Sequence, residues 1–183
     1  MKHWSFWGFI LFLTTLLSCQ EQSKIYPNLE KIDTLLHQEH SDSAYRLIEQ
    51  INMSMLKSRQ DSAYYCMLLT WGRFVKYMKY TPYSGIDKSI SYYKKKNDKS
   101  KLALSYAIKG GAIYETGNIR EAIRNLKESE KLAILLNDIF LNYKLYGELS
   151  VINNQEGKYD LALKYARKRL GASILSRKRN WIA

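Results

Sequence analysis

Apolar residues return along this chain at the spacing of a helix. Ala44, Leu47, Ile48 and Ile51 fall at i, i+3, i+4 and i+7. Ile119, Ala122, Ile123, Leu126, Ala133 and Leu136 hold a similar stripe over nearly five turns. No run alternates with the period of two that a half-buried strand needs. Ser41 and Asp42 stand ahead of the first stripe as candidate N-caps. Gly117 supplies a residue able to close a helix in the left-handed conformation. Asn118, with Glu121 three positions on, reads as a cap close to a capping box. The pattern predicts an all-α chain of eight helices, at about 27–39, 42–53, 60–79, 84–96, 100–116, 119–136, 139–156 and 159–171.

Sliding the chain by forty residues superposes Tyr106 on Tyr146, Gly117 on Gly157, Ala122 on Ala162, and Ile134-Leu135 on Ile174-Leu175. The first copy reads Tyr106-x3-Gly110-x6-Gly117-x4-Ala122-x3-Leu126. Gly110 and Ala122 are small where two antiparallel helices would cross closely. In these markers residues 103–136 and 143–171 resemble the tetratricopeptide (TPR) family. The forty-residue period is similar to that of the long-helix TPRs of bacterial signalling regulators. There are departures: Lys109 stands for the usual leucine, Ile113 for the tyrosine and Ser150 for the second copy's glycine, and the terminal proline is missing. Residues 60–96 have the length of a helix pair but lack the glycine and alanine markers, which makes them a degenerate repeat. The resemblance implies a solenoid of helical hairpins, with degenerate pairs over 28–96, one repeat over 97–136 and another over 137–183.

The beginning of the chain has a different pattern. Lys2 is followed by an apolar run from Trp4 to Leu17. As a helix it would reach about 21 Å, short of the roughly 30 Å hydrocarbon core. The run ends in Leu16-Leu17-Ser18-Cys19 and gives way at once to Gln20-Glu21-Gln22-Ser23-Lys24. This resembles the lipobox of bacterial lipoproteins, with Leu17 where a smaller residue is more usual. The resemblance implies a signal peptide over 1–18, lipid on Cys19 (diacylglycerol on the thiol, commonly a further acyl chain on the amine), and a tether over 19–27. It also implies a location in the cell envelope, periplasmic or at the surface. The alternative is an ordinary secretory signal whose cysteine is incidental. Together with Asp61-Ser62-Ala63-Tyr64-Tyr65, Ser91-Tyr92-Tyr93 and the repeat, the lipobox makes the whole chain similar to a group of bacterial TPR lipoproteins. Larger members of that group continue into further repeats. Trp181-Ile182-Ala183 falls where another first helix would begin, so the comparison implies a chain truncated relative to them.

Composition narrows the picture further. Nine glycines and two prolines are too few turn formers for a sandwich or propeller, and two cysteines allow at most one disulfide. The net charge of +12 is concentrated. Lys94, Lys95, Lys96, Lys99 and Lys101 face only Asp98, while Arg167, Lys168, Arg169, Arg177, Lys178 and Arg179 face no acid at all. The first group ends a helix, where cations complement the dipole. Either group could also lie against anionic headgroups. Export excludes nucleic acid as a natural partner, whatever the charge.

Candidate chemistry is sparse. His37 and His40 lie three apart without a third ligand and read as solvated loop residues; Cys66 reads as a buried, inert thiol. No nucleophile–base pair, phosphate loop or tuned carboxylate pair stands out, so no catalytic residue, metal ligand or cofactor is expected. The TPR resemblance implies a binding groove along the first helix of each pair. Carried over, its positions are Leu104, Ala107, Gly111 and Tyr114, then Lys144, Gly147, Val151 and Asn154. Extending the register backwards adds Tyr64, Met67 and Trp71, which read equally as inter-helix core. The expected function is capture of a peptide or protein segment by a lipid-anchored, non-catalytic protein of envelope signalling or sensing. The alternative is a structural adaptor for assembly of an envelope membrane complex.

Overall fold

The computed structural model describes residues 23–76 and 85–180, without the side chains of 176–180. The leader, Cys19 with its lipobox, the first part of the tether, and Trp181 to Ala183 lie outside the described residues. Among those described the chain is all-α. Eight α-helices follow one another: α1 (Tyr26–His37), α2 (Ser41–Glu49), α3 (Arg59–Val75), α4 (Ile86–Lys96), α5 (Lys99–Tyr114), α6 (Ile119–Leu136), α7 (Ile139–Gln155) and α8 (Tyr159–Asn180). A 3-10 turn, Met53–Met55, lies between α2 and α3.

The local chemistry of the chain ends explains most helix boundaries. Ser58, Asp98 and Asp138, forty residues apart, each accept a backbone N–H three residues on and so cap α3, α5 and α7. Asp61 completes the box on α3 by accepting the Ser58 N–H at 3.0 Å. Asn97 and Asn137 close α4 and α6 in the left-handed region, at φ 55° and 51°. Gly117 and Gly157 take the same region, at φ 84° and 71°, after α5 and α7. The expected cap at Asn118 forms, its side chain accepting from the Glu121 N–H at 3.3 Å.

Several boundaries differ from expectation: α3 ends at Val75 instead of 79, α4 begins at Ile86 instead of 84, and α2 and α8 differ more. Neither Ser41 nor Asp42 is the N-cap of α2. That position is His40, which caps with no side-chain bond, while Asp42 in the first turn pairs with Lys76. α2 ends at Glu49 rather than Met53, because the Asn52 side chain accepts from Ser54 N and bends the chain into the 3-10 turn. α8 runs to Asn180 and not to Gly171, whose surroundings are open and therefore tolerate a glycine inside the helix.

Successive helices pack as antiparallel pairs, α5 on α6 and α7 on α8 most extensively, and α1, α3, α5 and α7 also touch in succession. One apolar cluster fills the first pairs around Leu29, Ile32, Ile48, Met67, Leu68 and Ile86. A second, around Leu126, Leu145, Leu149 and Ile152, fills the last. Leu104 and Leu132 pack against both, so the core is continuous. At the α5–α6 crossing, a Cβ on Gly110 would sit 2.6 Å from Leu126 Cγ and 3.1 Å from the Ala122 carbonyl. The helices are that close because Gly110 has no side chain.

A buried hydrogen bond recurs between paired helices. Ser89 Oγ donates to the Ala63 carbonyl at 2.6 Å, and forty residues later Ser129 Oγ donates to the Ala103 carbonyl at 2.6 Å. The corresponding residues of the last pair are Tyr143 and Arg169. There Arg169 donates to the Tyr143 hydroxyl at 3.0 Å and lies 4.6 Å from the centre of its ring.

Candidate functional site

α1, α3, α5 and α7 border a cleft of about 580 Å³. From α3 come Trp71, Phe74 and Val75; from α5, Leu104, Ala107 and Tyr114; from α7, Phe140, Lys144, Glu148 and Val151. Leu36 and Glu39 close its near side. Phe74 reaches the floor because Gly111 opposite it has no side chain: a Cβ there would lie 2.6 Å from the Phe74 ring.

Of the eleven residues expected from the sequence, Trp71, Leu104, Ala107, Tyr114, Lys144 and Val151 line this cleft together. Tyr64 and Met67 lie in the interior, at 2% and 0% exposure. Gly111 is buried beneath Phe74, and Gly147 backs onto the Arg169 guanidinium of α8. Asn154 is exposed and outside the lining. Of the expected packing markers, Ala122 and Leu126 are fully buried, Tyr146 and Ala162 nearly so, and Tyr106 packs partly buried against the first cluster.

His37 is exposed, as expected, but it belongs to a helix and not to a loop. It ends α1, its ring edge-on to Trp71 at 4.8 Å between centres and 5.0 Å from the Phe140 ring. Its Nδ1 lies 3.0 Å from the Asp33 carbonyl and 3.1 Å from the Asp33 carboxylate. That carboxylate, which also accepts the Tyr64 hydroxyl, raises the imidazole pKa against the opposing effect of burial. Beside it, Lys144 of α7 pairs with Glu39 and stands 5.6 Å over the Phe140 ring. The ion pair lowers the Glu39 pKa. Cys66, half-buried, has its thiol pKa pushed up by burial against the opposing charge of Lys88, which favours the protonated form.

The far end of the cleft is acidic. Burial raises the Glu148 carboxyl pKa and Glu115 raises it further, while Arg169 and Lys144 pull the other way. The Tyr114 hydroxyl is raised by burial and then by Glu115, Glu156 and Glu148. Among the described residues neither Glu115 nor Glu148 has a basic partner at salt-bridge distance. The arrangement is an apolar, aromatic trough, neutralised at one end by the Glu39–Lys144 pair and negative at the other. It can hold an apolar segment and orient it by charge.

Another polar cluster joins the last two pairs. Glu130, 5% exposed, accepts from Lys127 and from Lys168 at 3.1 Å, and Lys127 also donates to the Tyr165 hydroxyl at 2.6 Å. Burial would raise the Glu130 pKa, but the two lysines lower it on balance. All partners are satisfied within the protein, so this cluster serves packing.

Among the described residues no group of three or more His, Cys, Asp and Glu side chains converges as a metal site, and no helix is long and apolar enough to cross a membrane. Comparison with protein-family models, with curated proteins and with solved structures finds no match.

Proposed function

We propose that this is a TPR-like array of helical hairpins, held to a bacterial envelope membrane through lipid on Cys19, which captures a peptide or protein segment without catalysis. The observation that carries the reading is the cleft along α1, α3, α5 and α7, in which partly exposed apolar and aromatic side chains share one trough with two carboxylates that have no salt-bridge partner among the described residues. Support for the repeat comes from caps, left-handed closures and buried serine bonds that recur at forty residues. The glycine at the α5–α6 crossing supports it too. The charge distribution specifies the segment: apolar side chains over Trp71, Phe74 and Phe140, with a lysine or arginine towards Glu115 and Glu148. Within the envelope such capture fits a signalling or sensing role.

The test is titration of the protein with peptides that differ only in one residue, lysine against glutamate, between apolar anchors, read by Trp71 fluorescence. The lysine peptide should bind more tightly by tenfold or more, and Glu148→Gln should remove most of that preference. Equal binding of both peptides, or a fluorescence response that survives Trp71→Phe, would refute the groove reading. The anchor is tested separately, by the intact mass of the membrane-extracted protein. A mass corresponding to residues 19–183 plus acyl chains is expected, and an unmodified chain starting at Met1 would sink it.

A further inference from the structure

A second cleft, of about 750 Å³, lies between the start of α3 and the outer face of α4. Five cations line it, Lys57, Arg59, Lys88, Lys95 and Lys96, and no carboxylate does. The α4 wall is a helical stripe, since Lys88, Ser91, Tyr92 and Lys95 fall at i, i+3, i+4 and i+7. The nearby acids are engaged elsewhere. Asp61 is turned inward as the partner of Ser58, Asp87 binds Lys109 at 2.8 Å, and Asp98 caps α5.

Helix physics explains only part of this charge. Lys94 to Lys96 complement the C-terminal dipole of α4, but Lys88 stands in that helix's first turn. Arg59 opens α3 and Lys57 precedes it. At a helix N-terminus cations are disfavoured and anions favoured. The Arg59 and Gln60 N–H groups there have no intrahelical acceptor. Nor is the feature repeated along the array. Forty residues on, the positions of Lys88 and Ser91 hold Glu128 and Lys131, which neutralise each other at 2.6 Å, and Leu135 stands for Lys95. Five solvent-exposed cations gathered at the N-terminus of α3 and along α4, beside N–H groups and hydroxyls and with no carboxylate in the lining, repel one another, and a bound anion would relieve that repulsion.

We propose that this cleft binds a phosphate-bearing anion, cradled between Arg59 at the start of α3 and Lys88 and Lys95 of α4. The ligand is a phosphate ester or a phospholipid headgroup. The 3-10 turn that leads into the lining residue Leu56 carries Met53 and Met55 at 63% and 42% exposure, apolar side chains that a bilayer could take up.

The test uses the full chain in detergent, titrated calorimetrically with inorganic pyrophosphate, and in parallel its partition between phosphatidylglycerol and phosphatidylcholine vesicles. Any lipid anchor acts equally on both vesicles, so their ratio reports the headgroup alone. Lys88→Ala/Lys95→Ala is compared with Lys94→Ala/Lys99→Ala, which removes the same charge from exposed positions outside the cleft; unchanged helicity and melting establish that both variants fold. Pyrophosphate binding weakened at least tenfold by the first pair and less than threefold by the second supports a soluble phosphate ligand. A phosphatidylglycerol preference with that dependence, and without pyrophosphate binding, supports the headgroup. Equal losses from both pairs, or neither binding nor preference, would overturn the proposal.

Discussion

At Gly110 one added carbon would meet Leu126 Cγ at 2.6 Å, whereas at Gly171 it would meet nothing within 4 Å. Gly110→Ala should therefore cost about 1–3 kcal/mol through overpacking. Gly171→Ala should stabilise by up to about 1 kcal/mol, through helix propensity alone. Denaturant midpoints with unchanged slopes would check both. Glu148 poses the opposite problem, a carboxyl whose pKa is raised in the folded state by burial and by Glu115. The folded protein then binds more protons than the unfolded one, and stability rises as pH falls from that raised value to about 4.5. Glu148→Gln should melt higher than wild type at pH 7, with the gain vanishing in acid. Glu130 has the reverse sign. Its lowered pKa gives stability that is present above about 4.5 and lost as pH falls through the folded value. Glu130→Gln should lower stability at pH 7 by about 1–3 kcal/mol, and the two proteins should converge in acid. A melting series from pH 3 to 8 separates the two glutamates.

Among the helices, existence was easier to read than extent. Within the stripes Ala44, Ile48, Ala122, Leu126 and Ala133 are fully buried, while Leu136 at the end of α6 is 39% exposed, so periodicity carried the helices and not the burial of every position. Ends depend on side-chain bonds with nearly equal competitors, which is why the Asn52 turn shortened α2 and why Gly171 failed to stop α8. Much of the forty-residue relation lies in identities outside the apolar markers: Ala63/Ala103, Ser89/Ser129, Asn97/Asn137 and Asp98/Asp138. Serine and asparagine carry no weight in a search for apolar markers, and only their buried or left-handed settings reveal what they do. Ser129→Ala should cost about 1 kcal/mol for the lost bond to Ala103. Asn137→Ala should cost about 1–2 kcal/mol for its left-handed backbone, and Asn137→Gly should not. Urea unfolding of the three variants would check the ranking. In the cleft, Phe74, Phe140 and Glu148 were missed because they reach it from helix ends and across the trough, geometry that spacing along one helix does not encode.

Among the described residues, contacts between elements join helices that follow one another or stand two apart in the chain. The exception ties the α1–α2 turn to α7: His37 against Phe140, and Glu39 against Lys144, 105 residues away. Phe140→Ala with Glu39→Ala should increase amide exchange in α1 several-fold and leave α5 and α6 protected, which exchange mass spectrometry would read. A row that touches only its neighbours is a spring, with any tension shared among all its joints. The tie between the turn and α7 is a strut laid in parallel with that spring. Loads applied between those two points meet the strut first, and the ion pair in it is exposed to screening by salt. The molecule is then stiff under small loads and compliant beyond them, with the changeover moving to lower force as ionic strength rises.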